Sequence, residues 1–600
     1  MELRSIAALT SKRAAEIPSG LVPPPRLSGG LPLVGHSIEF VRATMDLLFR
    51  ANRELGEVAA FSVMGREMVA MFGPEAHEAV FRAPDAQLSP TEAYKIMTPV
   101  FGKDVVYDAS PEKMAEQLKM LLPALKDRRM RTYGEAVVHE TAESTSSWGE
   151  SGVVDFVEFC RVLTNFTSSR CLLGQEFREG MSEEFARVYH DLEAGVTPLA
   201  YINAHLPVPS FRRRDKARVR MVEMITGVIR GRRAGERKGE DFLQTLMESK
   251  YSDGRDLTED EITGLLLAGM FAGHHTSSVT TAWSLLELLQ NPLQLQRCVA
   301  EIDRVFGDGR PVSHAALREL TFTEAVVKEA LRMHPPLFML VRVAQKDFTY
   351  KNYFVPKGAW IVLSPTVAHR IPEVFKDPDT FDPDRYLAGR EEDKRDFAYI
   401  AFGGGRHKCL GNAFAILQIK AILALLLGQF DFGLCGDAIE ANFQGLVIGP
   451  KEPCRVRYRR RAQPSVTMAM GSELAAMSKD AAAVAGTNGA EVNGANGGHV
   501  NGAAIPAEVA AAAKAAGCPA HAHAPQHTAP EATSPSLRVR IDRDLCQGHA
   551  VCVGEAPEVF AISPNDGKVM LKVARPSAEL HAKVRAAAEH CPTRSIRIEE

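Results

Sequence analysis

Three consecutive glycines, Gly403 to Gly405, followed closely by Cys409, constrain this chain more than any other stretch. Glycine gives up the most backbone freedom on ordering, so a run of three fits neither a helix nor a strand interior. Phe402 to Gly411 therefore reads as a tight loop whose backbone passes close to something flat or bulky. Arg406, His407 and Lys408 precede the cysteine, and the apolar run Leu410 to Leu417 after it opens a helix. Cationic neighbours and a helix N-terminus both favour thiolate over thiol. A thiolate so placed serves as a metal ligand or a nucleophile; the plainer alternative is a structural cysteine beside a turn.

The spacing Phe402-x-x-Gly405-x-His407-x-Cys409-x-Gly411 resembles the haem-binding loop of the cytochrome P-450 monooxygenases. The resemblance implies haem b, with the Cys409 sulfur as proximal iron ligand. Thiolate ligation pushes electron density onto iron and suits oxygen activation. It also implies a mainly α haem-thiolate monooxygenase fold with small β-sheets.

Six hundred residues exceed one ordinary domain, and 45% hydrophobic with 24% charged residues is the composition of a soluble globular protein. A net charge of -3 gives no reason to invoke nucleic acid. Met1 to Val34 is broken by Lys12, Arg13, Glu16 and prolines 23 to 25. It holds no run near the ~20 apolar residues that span a bilayer, so the expectation is a soluble, cytoplasmic protein without an integral membrane anchor. Ten cysteines in such a chain argue for reduced thiols and metal sites over disulfides. Cys160, Cys171, Cys298, Cys435 and Cys454 read as core or bystander residues.

Residues 58 to 72 alternate as a strand pair, and helical spacing dominates from about residue 110. Tyr94 to Asp108 is rich in aromatics and breakers and reads as a loop. The cations of residues 205 to 220 read as a solvated helix face. Glu261 to Leu289 is the longest helical candidate, stopped by Asn291-Pro292. Its middle, Ala272-Gly273-His274-His275-Thr276-Ser277-Ser278, is polar where the flanks are apolar. Hydroxyls bonding back to carbonyls, with a glycine, predict a widened turn there.

Several of these stretches resemble the sterol 14α-demethylase branch of the same superfamily. By that resemblance Tyr94 reaches a haem propionate, and Phe101 and Tyr107 lie near the substrate cavity. The branch also has a lysine on the following helix; the turn there reads Glu112-Lys113-Met114-Ala115, which leaves that position open. Thr276 would donate to bound oxygen. His275 stands where most of the superfamily has an acid, a substitution this branch shares. Histidine relays protons near neutral pH, with Glu193 as the candidate partner acid. Arg342 and His407 match positions that pair with haem propionates. Glu329, Arg332 and Arg385 resemble the buried Glu-Arg-Arg cluster that fixes the haem loop.

Composition changes after Arg461: residues 462 to 535 are rich in Ala, Gly, Asn, Pro and Ser, and read as a flexible tether. Cys518, His521, His523 and His527 in it are treated as incidental. A period-two strand, Leu537 to Ile541, opens residues 536 to 600, and a second is expected at Ser595 to Ile598. Cys546, Cys552 and the pair Cys591-Pro592 resemble the small bacterial ferredoxins, an α+β domain. Four-iron relatives have a cysteine where His549 stands, which favours a 3Fe-4S cluster held by Cys546, Cys552 and Cys591. Zinc is the alternative for a cysteine–histidine group.

Residues 1 to 461 and 536 to 600 thus read as a haem monooxygenase fused to its one-electron donor. Such a tether gives an effective donor concentration on the order of millimolar. No Gly-x-Gly-x-x-Gly fingerprint opens a helix, so a separate NAD(P)H-dependent ferredoxin reductase is expected. The resemblance implies sterol and dioxygen as substrates and removal of the 14α-methyl group in three oxygenations, ending in formate. Two other readings stand beside it: a hydroxylase of another lipid or terpenoid, and a non-catalytic haem electron carrier or sensor.

Overall fold

The computed structural model describes residues 17–466 and 537–599, less 126, 181, 197–199, 201–202, 236–238, 240, 444–446, 544–545, 547–550, 564–567, 590 and 592–594. The tether, its Cys518–His527 group and His549 lie outside the described residues.

The alternating stretch near the N-terminus forms β1 (Val58–Val63) and β2 (Arg66–Met71), antiparallel with Val58 opposite Met71. With β3 (Leu88–Ser89), β4 (Leu340–Ala344) and β5 (Trp360–Leu363) they make one sheet in the order β1-β2-β5-β4-β3. β2 and β5 run parallel, Met68 opposite Trp360; the other pairs are antiparallel. Helix α1 (Pro74–Arg82), opened by a proline at a position that needs no N–H, buries Val80 and Phe81 against this sheet.

The body is helical. α2 (Phe156–Leu173) and α3 (Pro209–Arg233) flank α4 (Glu259–Gln290), a helix of 32 residues. Thr258 caps α4: its hydroxyl accepts from the Glu261 N–H while Glu261 accepts from the Thr258 N–H, a reciprocal capping box. α4 is apolar on all sides and therefore buried. Its first half, with Leu265, Leu266 and Met270, packs with Met221, Ile225 and Ile229 of α3. Its second half, with Ala282, Trp283 and Leu286, packs with α6 (Asn412–Gln429) and with α5 (Thr321–Met333) between them. α6 is long and apolar enough to cross a membrane by length and composition, but 78% of it is buried inside the fold, as in a core helix.

Glu329, Arg332 and Arg385 are fully buried together. Arg332 donates to both Glu329 oxygens at 2.8 and 2.9 Å, Arg385 Nε to Oε1 at 3.1 Å, and the Tyr386 hydroxyl to Oε2 at 2.8 Å. Arg332 also donates to the His369 carbonyl at 2.8 Å, and the His369 Nε2 accepts from the Ile400 N–H at 2.9 Å. The cluster is thereby wired to the segment that leads into the Gly403–Cys409 loop.

Three expectations need correction. Tyr94 to Asp108 is a series of short helical turns, Thr91–Tyr94, Lys95–Met97, Thr98–Phe101 and Val106–Asp108, and not an open loop. Pro99 sits in a helix first turn, where its missing N–H costs nothing. α4 is continuous through residues 272 to 278 with no widened turn, although Thr276, Thr280, Thr281 and Ser284 each return their hydroxyl to a carbonyl four residues earlier: a carbonyl oxygen has two lone pairs, so the added bond does not displace the backbone one. The cations of α3 are not all solvated: Arg214 is buried against Asp215 and the Ala204 carbonyl, and Arg218 against Asp260 and the Phe101 carbonyl.

In the C-terminal part, β6 (Arg538–Ile541) pairs antiparallel with β7 (Ile596–Glu599). Val539, Phe560, Val584 and Ile596 share a core with Cys546, Cys552 and Cys591.

Removing one partner from a buried charge network leaves uncompensated charge, at a cost of about 3–5 kcal/mol. Glu329→Ala is expected to lower the urea unfolding midpoint accordingly, whereas Arg390→Ala, an exposed cation paired with Asp382 and Glu392, should leave it nearly unchanged.

Candidate functional site

The loop is shaped by its glycines. Gly403 and Gly405 hold left-handed backbone at φ 68° and 62°, and a Cβ on Gly405 would overlap the Phe81 carbonyl of α1. A Cβ on Gly404 would lie 2.7 Å from the Phe81 ring. Phe81 in turn stacks on Phe397, ring centroids 6.0 Å apart. The Cys409 N–H donates to the Phe402 carbonyl at 2.9 Å, closing the loop and fixing the sulfur at its end. Protein surrounds Cys409 and yet the residue is exposed, so its sulfur faces a recess.

Burial pushes the Cys409 thiol up, against the Gly411 N–H and the Lys408 charge. The Lys408 charge and the Gly411 N–H thus act towards thiolate, as the sequence suggests, but burial outweighs them. A metal at the sulfur is what would remove its proton.

Tyr94 and Tyr107 stack with centroids 4.8 Å apart. Burial, then Tyr94, push the Tyr107 phenol up to about 12, with Arg342 opposing and Cys409 adding to the rise; these four groups therefore share one neighbourhood. His407 lies 2.7 Å from Asp85 through Nε2. Burial lowers His407, while burial of Asp85 is outweighed by His407, Arg406 and Arg342, which hold its carboxyl below the usual range. Arg342, Arg406 and His407 thus surround a single acid. Phe101 is placed differently: it is buried, edge-on to Phe271 of α4 at 5.9 Å. Lys113 pairs with Glu261 at 3.1 Å and Asp104 at 3.8 Å.

Halfway along buried α4, Ala272 is exposed and a Cβ on Gly273 would meet nothing within 4 Å, so this turn borders open space. Thr276 lies one turn on, its hydroxyl donating to the Ala272 carbonyl at 2.5 Å. His275 Nε2 lies 2.6 Å from Glu193 Oε1. His274, which sequence reasoning passed over, lies 3.3 Å from the same oxygen through Nδ1 and bonds the Arg161 carbonyl through Nε2 at 2.9 Å. Burial would raise Glu193, but hydrogen bonds from His274 and His275 outweigh it and take the carboxyl from 4.5 to about 2. The paired histidines in the sequence were the available signal for His274; Asp85 had none.

Cys546, Cys552 and Cys591 are buried together. Burial, then the neighbouring Cys591 and Cys546, push the Cys552 thiol up to about 12, as expected of three converging sulfurs. The Val569 N–H donates to the Cys546 sulfur at 3.3 Å and the Ser595 N–H to Cys591 at 3.4 Å.

Comparison with known proteins agrees with this geometry. Residues 23–454 match the family model described as cytochrome P450, and residues 541–598 the model described as the 4Fe-4S single cluster domain of Ferredoxin I. A sterol 14alpha-demethylase of Mycolicibacterium vanbaalenii is 41% identical over 446 residues, covering 73% of this chain and 98% of the relative. An obtusifoliol 14-alpha demethylase of Triticum aestivum is 40% identical over 447 residues, with the same coverage of 73% and 98%. A lanosterol 14-alpha demethylase of Bos taurus is 36% identical over 454 residues, covering 75% and 90%. Among solved structures, a retinoic acid bound cyanobacterial CYP120A1 aligns with TM-score 0.65 at 22% identity over 74% of this chain and all 100% of that one, which bears on the fold alone.

A carboxylate lowered by its fold stabilises that fold above its unfolded pKa and loses this as pH falls through the folded value. Glu193 should therefore contribute stability above about pH 4.5 that disappears towards pH 2. Thermal unfolding against pH is expected to show a shallower acid limb for Glu193→Gln than for the unaltered protein.

Proposed function

The chain belongs to the cytochrome P450 family, and from that premise we propose that it removes the 14α-methyl group of a lanosterol-type sterol, with electrons supplied by its own C-terminal iron–sulfur domain. The carrying observation is the turn His274-His275-Thr276 bordering open space, with His275 on Glu193 at 2.6 Å. Identity of 36 to 41% to three proteins named as 14α-demethylases, from a bacterium, a plant and a mammal, supports this substrate class over another lipid or terpenoid.

The donors present fit a haem: a cysteine sulfur exposed in a recess, beside cations in excess of the acid they surround. Cys409 would hold the iron, and Tyr94, Arg342 and His407 the propionates. His407 would release part of its hold on Asp85 to do so. When bound, the haem supplies oxygen activation under thiolate control. The chain does the rest. Thr276 and His275 hold and pass protons at the open face of α4, and Glu193 keeps the His275 ring oriented. Tyr107 bounds the sterol cavity; Phe101 shapes it from behind, through Phe271. The methyl group passes through alcohol and aldehyde and leaves as formate when the C–C bond breaks.

The C-terminal domain would carry a 3Fe-4S cluster on Cys546, Cys552 and Cys591. N–H donors on two of the sulfurs suit ligation, since they stabilise thiolate charge. A separate NAD(P)H-dependent reductase would reduce it. Behind the Cys409 loop lies a groove whose lining includes Arg318, Lys328, Arg395, Lys408 and Lys420, a cationic approach to the loop.

Incubating the full chain with lanosterol, a ferredoxin reductase and NADPH should release formate; turnover only to hydroxylated products would favour the alternative lipid hydroxylase. Thr276→Ala is expected to divert reducing equivalents to peroxide, lowering product formed per NADPH by about tenfold or more. A carrier or sensor would show no such change. Cys552→Ala should abolish NADPH-driven turnover while leaving the carbon-monoxide difference spectrum intact.

A further inference from the structure

Two groups of histidine and carboxylate in the described residues bring three ligand atoms within 4.8 Å of one another. In the group of His139, Glu140 and Glu143, the buried Glu140 is already neutralised by Arg170 and by Arg178, the latter at 2.9 Å. The group of Glu193, His274 and His275 differs: among the described residues, no lysine or arginine pairs with Glu193.

The orientation of His274 is informative. Its Nε2 lies 2.9 Å from the Arg161 carbonyl, which can only accept, so Nε2 carries the proton. Its Nδ1 faces a carboxylate oxygen 3.3 Å away, a contact satisfied by a proton on Nδ1 or by a metal ion shared between the two. An imidazole whose second nitrogen donates to a backbone carbonyl is also the usual posture of a metal-ligating histidine.

We propose that Glu193, His274 and His275 form a zinc site, with Glu193 Oε1, His274 Nδ1 and His275 Nε2 as ligands and water in a fourth position on the open side of α4. Two imidazoles and a carboxylate with one open position are a zinc donor set. Tetrahedral ligand atoms on bonds of about 2.0–2.1 Å lie roughly 3.4 Å apart. The His274–Glu193 separation of 3.3 Å already matches, and the His275–Glu193 separation of 2.6 Å needs to open by under an ångström. The Nε2 proton of His275 leaves on binding, so that ring ligates as its other tautomer. The consequence rests on the proposed proton-handling role of His275: zinc occupies the acid and the histidine together and stops turnover.

The test uses the full-length protein as purified, with zinc sulfate as the probe and equilibrium dialysis as the readout. His274→Gln and Glu193→Gln serve as variants, each checked for folding by its carbon-monoxide difference spectrum. The unaltered protein should bind one zinc per chain beyond what either variant binds, and the affinity at that site should fall on the order of 100-fold or more in each. Zinc-edge X-ray absorption should show two imidazole ligands, and turnover should fall with the same midpoint as binding. Equal stoichiometry and affinity in all three proteins would overturn the proposal. Zinc that binds, is lost in both variants and leaves turnover unchanged would uphold the site and overturn the proton-handling role of His275 instead.

Discussion

One carboxylate, Glu329, holds two guanidinium groups away from water, and the presentation of Cys409 depends on it. Three charged groups are fully buried there, and Glu392 balances the second arginine, 3.0 Å from Arg385. Their desolvation is repaid only if geometry is exact and the leftover donors are satisfied. Here they are: Arg332 also reaches the His369 and Thr380 carbonyls, and Arg385 those of Lys376, Asp377 and Thr380. A network this committed cannot shift one member without stranding another. Through His369 that stiffness passes to Ile400, and the Gly403 N–H bonds the Ile400 carbonyl at 2.9 Å. The metal-ligand role proposed for Cys409 calls for such an anchor, which adds to the packing of the glycines on Phe81 and the Cys409–Phe402 hydrogen bond.

Electrostatics divide the work between chain and cofactor. The chain surrounds Asp85 with Arg342, Arg406 and His407 and so keeps positive charge in reserve near the recess. It does not spend that charge on Cys409, whose thiol is raised by burial. Nor does it do so for the C-terminal sulfurs, where packing three cysteines together pushes Cys552 up to about 12. In both places burial disfavours a bare thiolate, which the metal proposed for each site would have to offset. Burial thus favours the protonated thiol at Cys409 and Cys552, and metal binding there would release protons.

Local chemistry made much of this legible before any coordinates. The Gly403–Cys409 loop, the strand pair at 58 to 72, the span of α4 and the strand at 537 to 541 follow from periodicity and breakers, and the structure has each of them to within a residue or two; the strand expected at 595 to 598 forms at 596 to 599. The Glu329 cluster was readable as a resemblance and is present as such. What escaped was set by tertiary pairing. Arg214 and Arg218 looked solvated because nothing in their neighbourhood says that Ala204 and Asp260 will meet them. Residues 94 to 108 looked like a loop because they are rich in aromatics and breakers, yet packing against α3 and α4 draws them into single turns. Thr258 and Glu261 were a missed local signal: the Thr-x-x-Glu spacing of a capping box lies in plain view.

The middle of α4 breaks its own pattern, and the break has a cost that argues for use. Two histidines and a run of hydroxyls replace the leucines that would bury most area on either side. The Thr276 hydroxyl is silenced by its return to a carbonyl of the preceding turn, as are those of Thr280 and Thr281 farther on, while the Ser277 hydroxyl is buried without a hydrogen-bond partner among the described residues. The histidines are not silenced in this way. They converge on Glu193, a carboxylate whose single oxygen serves both rings and which no stronger cation claims among the described residues. A purely structural acid in that place would be better met by arginine, as Glu140 is by Arg170 and Arg178. Imidazoles are weaker partners, and they differ from arginine in the one property that matters here: they give up and take back a proton near neutral pH. A site built from them beside an open face of the helix suits the proton-handling role proposed for His275.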